Sequence, residues 1–176
     1  MKFDHYIIMP VETKDAAGIL ELVATNRERL TDYFPGTTAR VQDRASAKSF
    51  VADKIAEAEK KDQFTFMIYD TAVKKCAGMM YVKSIDWRIP KAEIAYFIDK
   101  AYEGKGIITK AVGCITDYCF SVFGMNKLFL RAAQNNTGSK RVAEKNGFML
   151  EGTLRKDFRT GDGKLIDLYY FGLIKE

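Results

Sequence analysis

Gly104 and Gly106 flank Lys105 in the stretch DKAYEGKGIITKAV (residues 99–112), directly before an apolar pattern of helical period. Glycine is a poor helix former, so this pair means a tight turn or a backbone that must lie very close to something else. The second reading carries a chemistry. The first N–H groups of a helix have no carbonyl to bond within it, and the helix dipole adds a positive field, so such a loop can hold a phosphate. Two nucleotide-binding patterns fail on spacing. A P-loop needs G-x-x-x-x-G-K-[ST], whereas Lys105 sits between the glycines. A dinucleotide fingerprint needs a third glycine where Thr109 stands, and it follows a first strand, not a fourth. The G-x-G pair by itself leaves turn and phosphate cradle both open.

Other reactive residue types exclude more than they suggest. Cys76, Cys114 and Cys119 are odd in number and lack C-x-x-C spacing, so neither a disulfide framework nor a zinc site is expected. His5 is the only histidine, which removes a Ser-His-Asp triad and most histidine-rich metal sites; no metal is expected. The net charge of +5 suits a phosphate-bearing partner but is also common among proteins that bind no nucleic acid, so it decides little. The basic residues are scattered, without the aromatic-basic signature of an RNA-binding sheet, so no direct nucleic-acid contact is expected. No apolar run approaches the roughly 20 residues needed to span a bilayer, so no membrane association is expected. The N-terminus, MKFDHYIIMPVETKD, is unlike a secretory signal, and a cytoplasmic location follows as the default.

The elements that must position the loop can be read from period and punctuation. HYIIMPVE (5–12) reads as a first strand, and TKDAAGILELVATN (13–26) as a helix capped by Thr13 or Asp15. RERLTDYFPGTTARVQ is a shorter helical turn broken at Pro35-Gly36, and Asp43 caps a second helix running to about Lys61. Residues 63–70 and 75–87 are β-rich and predict a hairpin; residues 91–102 form a third run that feeds the glycine loop. Ile108, Ala111, Val112, Ile115, Cys119 and Val122 make the core face of the following helix. A strand at 127–133, a short helix at 137–148 and a hairpin around Gly161-Asp162-Gly163 complete the order. That order is β-α-α-β-β-β-α-β-α-β-β, a single α/β domain over residues 1–176, with no repeat or linker.

In this context the segments AEIAYFID, AYEGKGI and ITKAVGCITDYCF look like the acetyl-CoA motif of the GNAT N-acetyltransferase superfamily, and NNTGSKRVAEKNGFMLEG resembles its second motif. Together they resemble most closely the Rim-type branch, which acetylates ribosomal-protein N-termini. The likeness follows element order along nearly the whole chain and is specific from about Lys91 to Leu154. It implies a GNAT fold with a mixed central sheet flanked by helices, and acetyl-CoA as co-substrate. On the family pattern, the backbone N–H groups around Gly104, Lys105, Gly106, Ile107 and Ile108 would hold the coenzyme A pyrophosphate, with a hydroxyl from Thr109. Tyr96, Phe97 and Ile98 would pair their backbone with the pantetheine amides, on a strand that splays from its neighbour. Asn136 would bond the pantetheine arm, and Ser139 would stand near the thioester sulfur.

The resemblance also implies a mechanism. Glu93 matches a glutamate that several members use as general base, against a plainer reading as a solvated strand residue. Many members take their acid from a tyrosine four residues before the glycine of the GF element. Ala143 stands there, so Ser139, matching the serine thought to serve in Rim-type enzymes, is expected to protonate the thiolate; its alternative is a helix cap. Ala101 is a second departure, where the superfamily favours Gln or Arg. The Phe97 N–H would polarise the thioester carbonyl. Asp167 matches an aspartate recurrent in the branch and would orient the acceptor amine or satisfy buried backbone. The leading expectation is acetyl transfer to a protein N-terminal amine. Its competitors are a small-amine acetyltransferase (polyamine, aminoglycoside or amino acid) and a non-catalytic acyl-CoA or RNA-associated module. Dimers are common in the family, so a homodimer is compatible with the resemblance.

Overall fold

The computed structural model describes residues 1–176. In chain order its elements are β1 (Lys2–Phe3), β2 (Tyr6–Pro10), α1 (Ala16–Thr31), α2 (Pro35–Arg40), α3 (Arg44–Glu59), β3 (Phe64–Asp70), β4 (Lys75–Asp86), β5 (Lys91–Ile98), α4 (Ile107–Ser121), β6 (Lys127–Ala133), α5 (Thr137–Lys145), β7 (Met149–Arg159) and β8 (Leu165–Ile174). The strands form one 8-stranded sheet in the order β1-β2-β3-β4-β5-β6-β8-β7. Every neighbouring pair is antiparallel except β5 and β6.

Alternation along the strands divides the core in two. On one face Ile94, Leu128 and Leu130 pack against Ile108, Ala111, Val112, Ile115 and Cys119 of α4. On the other, Met67, Met79, Tyr81 and Phe97 pack against Ile19, Leu22 and Val23 of α1 and Phe50 and Val51 of α3. Burial of each Val, Leu, Ile, Met or Phe among them contributes roughly 1.5–3 kcal/mol, so the sheet between these layers is the rigid part of the molecule.

Several boundaries differ from those the sequence suggests. The first helix continues to Thr31, absorbing Arg27–Leu30, because Leu30 still points to the core. Pro35 begins a helix instead of breaking one: it stands at the first position of α2, where its missing N–H costs nothing. Arg27 clamps that helix, donating to the carbonyls of Thr38 (2.8 Å) and Val41 (2.6 Å). The strand expected through residue 102 stops at Ile98, and a single 3-10 turn covers Lys100–Tyr102. Val122 is exposed at the end of α4 and not part of its core face. Asp43 does cap α3, accepting from the Ser46 N–H at 2.8 Å.

The sheet is interrupted at its one parallel pair. β5 and β6 share rungs only from Lys91↔Lys127 to Glu93↔Phe129. Beyond them β5 stays with β4 as far as Ile98, and β6 stays with β8 as far as Ala133. The middle of the sheet therefore opens as a fork. Gly78 keeps β4 close to one arm of that fork, since a Cβ there would meet the Phe97 carbonyl oxygen at 2.6 Å.

Candidate active site

The glycine loop lies at the open end of the fork. Asp99 starts it by accepting the Ala101 N–H at 2.8 Å, and the chain turns once through Lys100–Tyr102. Gly104 and Gly106 both have φ +74°, a left-handed conformation that side chains with a Cβ rarely adopt. The first N–H to find a helical acceptor is that of Lys110, which donates to the Gly106 carbonyl. From Gly104 to Thr109 no backbone N–H donates to a protein group. A run of free donors at the N-terminus of a 15-residue helix has the geometry and the field to receive an anion. The Lys105 side chain turns back to the Ala101 carbonyl (2.9 Å), so Lys105 can offer the cradle only its amide.

A cleft of about 740 Å³ runs from this loop into the fork. Tyr96, Phe97 and Ile98 of β5 form its floor, and the start of α5 forms one wall with Asn136, Gly138 and Ser139. Another wall is the end of α1 and the connection that follows it, Asp32, Tyr33 and Phe34; Phe34 stands edge-on to the Phe97 ring at 5.0 Å. Arg29 ties this wall to the loop through an ion pair with Glu103. The structure thus brings Tyr96, Phe97, Ile98, Gly104, Gly106, Ile107, Ile108, Thr109, Asn136 and Ser139 around one space.

Asn136, not Ser139, is the cap of α5: its Oδ1 accepts the Ser139 N–H at 2.9 Å, and its Nδ2 has no protein acceptor. The Ser139 hydroxyl is consequently not spent on capping. It stands beside the Tyr96 phenol, which burial pushes up to about 12 while Ser139 pulls the other way. Tyr96 therefore keeps its proton throughout the neutral range. Ala143, where many acetyltransferases place a tyrosine, is fully buried.

Glu93 and Asp167 do not line the cleft. Glu93 is neither solvated nor free: it is 3% exposed, and Arg131 donates Nε to one carboxylate oxygen (3.1 Å) and Nη2 to the other (2.8 Å). Lys83 Nζ lies 3.7 Å away and the Ser84 hydroxyl 3.3 Å away. Asp167 accepts the Lys156 N–H at 2.8 Å and so satisfies backbone in β7. Sequence reasoning misses Arg131, the Tyr96 phenol, and the cations Arg141 and Lys145 on the cleft wall. Arg131 does carry a signal, a lone charge amid the apolar run LFLRAA.

Residues 5–149 match the family model described as Acetyltransferase (GNAT) domain. The chain belongs to the GNAT acetyltransferase family. It is an N-acetyltransferase that uses acetyl-CoA as co-substrate, and the free N–H groups of the loop and the open fork fit that group. Among its GNAT relatives is the "Putative ribosomal N-acetyltransferase YdaF" of Bacillus subtilis (strain 168), 31% identical over 98% of this chain and 92% of the relative. Among solved structures, the ribosomal-protein-S5-alanine acetyltransferase from Vibrio fischeri superposes with a TM-score of 0.92 at 22% identity, covering 100% of this chain and 96% of that one. A RimL ribosomal L7/L12 α-N-protein acetyltransferase in complex with coenzyme A gives 0.89 at 18% identity, covering 98% and 95%. These last two likenesses establish the GNAT fold.

Proposed function

We propose that this GNAT enzyme acetylates the N-terminal α-amine of a protein, a ribosomal protein being the first candidate. The observation that carries the reading is the charge of the cleft. Its only acids are Asp32 and Glu103, and Glu103 is already paired with Arg29; Arg29, Arg141 and Lys145 supply the opposite sign. A polyamine carries several ammonium groups and needs more free carboxylate than this. An N-terminus brings a single amine, and YdaF and the Vibrio fischeri enzyme carry ribosomal names.

Bound acetyl-CoA supplies an activated acetyl thioester. The protein's own residues do the rest. Backbone N–H groups from Gly104 to Thr109 hold the pyrophosphate, and the cations Arg141 and Lys145 add to the field around it. The free edge of β5 beyond Glu93 offers its ladder groups to the pantetheine amides, as a sheet edge receives an extra strand. Asn136 donates Nδ2 to the same arm. Phe97 pairs with Met79 of β4 and spends its N–H there, which leaves the fork-facing N–H groups of Tyr96 and Ile98 for the developing oxyanion. As the neutral amine attacks the thioester carbonyl and the C–S bond breaks, the proton that the amine releases reaches the leaving thiolate through the Ser139 hydroxyl, next to a protonated Tyr96. Residues 1–176 act together as the catalytic unit. Three free cysteines accord with work in the reducing cytoplasm. No helix is long and apolar enough to cross a membrane. The homodimer expectation is part of the proposal, and sedimentation reads it directly.

An α-amine has an ordinary pKa of about 7.7–8.0, against about 10.4 for lysine or a polyamine. A useful fraction of the α-amine is already neutral at pH 7, and the cleft lining offers no obvious base. Thiol release from acetyl-CoA should therefore be fastest with N-terminal peptides in a panel including spermidine, an aminoglycoside and acetyl-blocked lysine peptides. The rate should rise with pH through about 8 and then level. A spermidine rate above the peptide rate would contradict the proposal.

A further inference from the structure

The fork has a fastening at its apex. Arg131 stands two residues beyond Phe129, the last residue of β6 to share a rung with β5. Its guanidinium nevertheless reaches back across the gap to grip both oxygens of Glu93, at 3.1 and 2.8 Å. Its remaining nitrogen, Nη1, donates to Asp157 Oδ2 at 2.7 Å. Asp157 is delivered there by an irregularity in β7, where register shifts between Leu154 and Phe158 and Lys156 takes φ +50°. Asp167 holds that bend through the Lys156 N–H. From the other side Lys83 and Ser84 of β4 approach the same carboxylate. One guanidinium thus ties together strands that otherwise diverge.

A bidentate arginine–carboxylate pair is planar and directional, and a nearly buried carboxylate is costly without its partner. Such a tie resists changes in the spacing it spans. On the acetyl-CoA reading above, we propose that Arg131 and Glu93 form a positioning clasp that sets how far β5 and β6 open. Arg131 thereby governs the seat of the pantetheine arm without touching it. Glu93 serves as the anchor of the clasp and not as the base.

Calorimetric binding of two probes tests this. Acetyl-CoA uses both loop and fork, whereas 3′-phosphoadenosine 5′-diphosphate lacks the pantetheine arm and uses the loop alone. Removing one member of the pair leaves the other charge unpaired and threatens folding. The Glu93→Gln/Arg131→Gln double variant, with two neutral amides able to bond each other, keeps the test open. In that variant acetyl-CoA binding should weaken about tenfold or more, the cost of about one well-placed hydrogen bond to the pantetheine arm. The KM for acetyl-CoA should rise with it, while the fragment stays within about twofold of wild type. Arg131→Lys should fall between the two, because a lysine keeps the charge and loses the planar, two-pronged geometry. The groups facing Glu93 are Lys83, Ser84, Arg131 and, farther off, Tyr170, none a histidine or a thiol. The loss in Glu93→Gln should accordingly persist unchanged as pH rises. Unaltered acetyl-CoA affinity in the double variant overturns the clasp, as does an equal loss for both probes. Recovery of Glu93→Gln turnover at high pH also overturns it and restores Glu93 as base. A wild-type chain that binds neither probe overturns the acetyl-CoA reading itself, a result distinct from any of these.

Discussion

Gly106→Val is expected to weaken acetyl-CoA binding by at least about 100-fold, equal to about 2.8 kcal/mol. Two effects converge at this position. Gly106 has φ +74°, where a β-branched residue is strained. It also contributes to the run of free N–H groups that would surround the pyrophosphate. A Cβ at Gly106 meets no protein atom within 4 Å, so the added bulk has little to disturb in the protein alone. Its new methyl groups crowd the place where phosphate oxygens must approach the backbone. Gly163 is the matched control: it has φ +88° and also offers open space to a Cβ, but it lies in the β7–β8 turn. Gly163→Val should lose comparable stability and keep its acetyl-CoA affinity, measured by calorimetry on the folded protein. Wild-type affinity in Gly106→Val would remove the pyrophosphate from the loop.

The glycine loop and the elements around it are legible from residue types and spacing because they are built from local signals, whereas the roles of Tyr96, Asn136 and Ser139 are legible only through the family resemblance. The strand at residues 127–133 and the Asp43 cap agree with the structure to the residue, and the glycine loop shows itself through poor helix formers before a helical pattern. What escapes is of two kinds. Some residues have two local meanings. Pro35 can both stop one helix and start another, and Ser139 can read as a helix cap or an acid until geometry gives the cap of α5 to Asn136. Other features are non-local. Glu93 and Arg131 are 38 residues apart, and only the parallel pairing of β5 with β6 brings their side chains together. The Tyr96 phenol is hidden because its backbone has the more evident task, and its neighbour Ser139 arrives from a different element.

The second large effect falls on chemistry instead of binding. Ser139→Ala should slow turnover about 10²–10⁴-fold, the usual range for loss of a positioned acid. Because Asn136 supplies the cap through the Ser139 backbone N–H, which alanine retains, thermal stability should barely change. Acetyl-CoA affinity should also stay near wild type. The rise of the pH profile through about 8 should keep its position, since it reports the acceptor amine and neither an alanine nor Tyr96, raised to about 12, titrates near pH 8. Single-turnover kinetics at saturating acetyl-CoA, paired with a melting curve, measure all three. Normal turnover in the folded variant would leave Ser139 without a role in proton transfer.

A crystal structure of the chain with coenzyme A would bear on loop, fork and clasp at once. Pyrophosphate oxygens should lie within hydrogen-bonding distance of the N–H groups between Gly104 and Thr109. The pantetheine arm should run between β5 and β6, with the sulfur beside Ser139 and Tyr96. The Arg131–Glu93 pair should remain closed at the apex. Coenzyme A bound elsewhere, or an arm lying outside the fork with the strands unchanged, would contradict the assignment of the cleft.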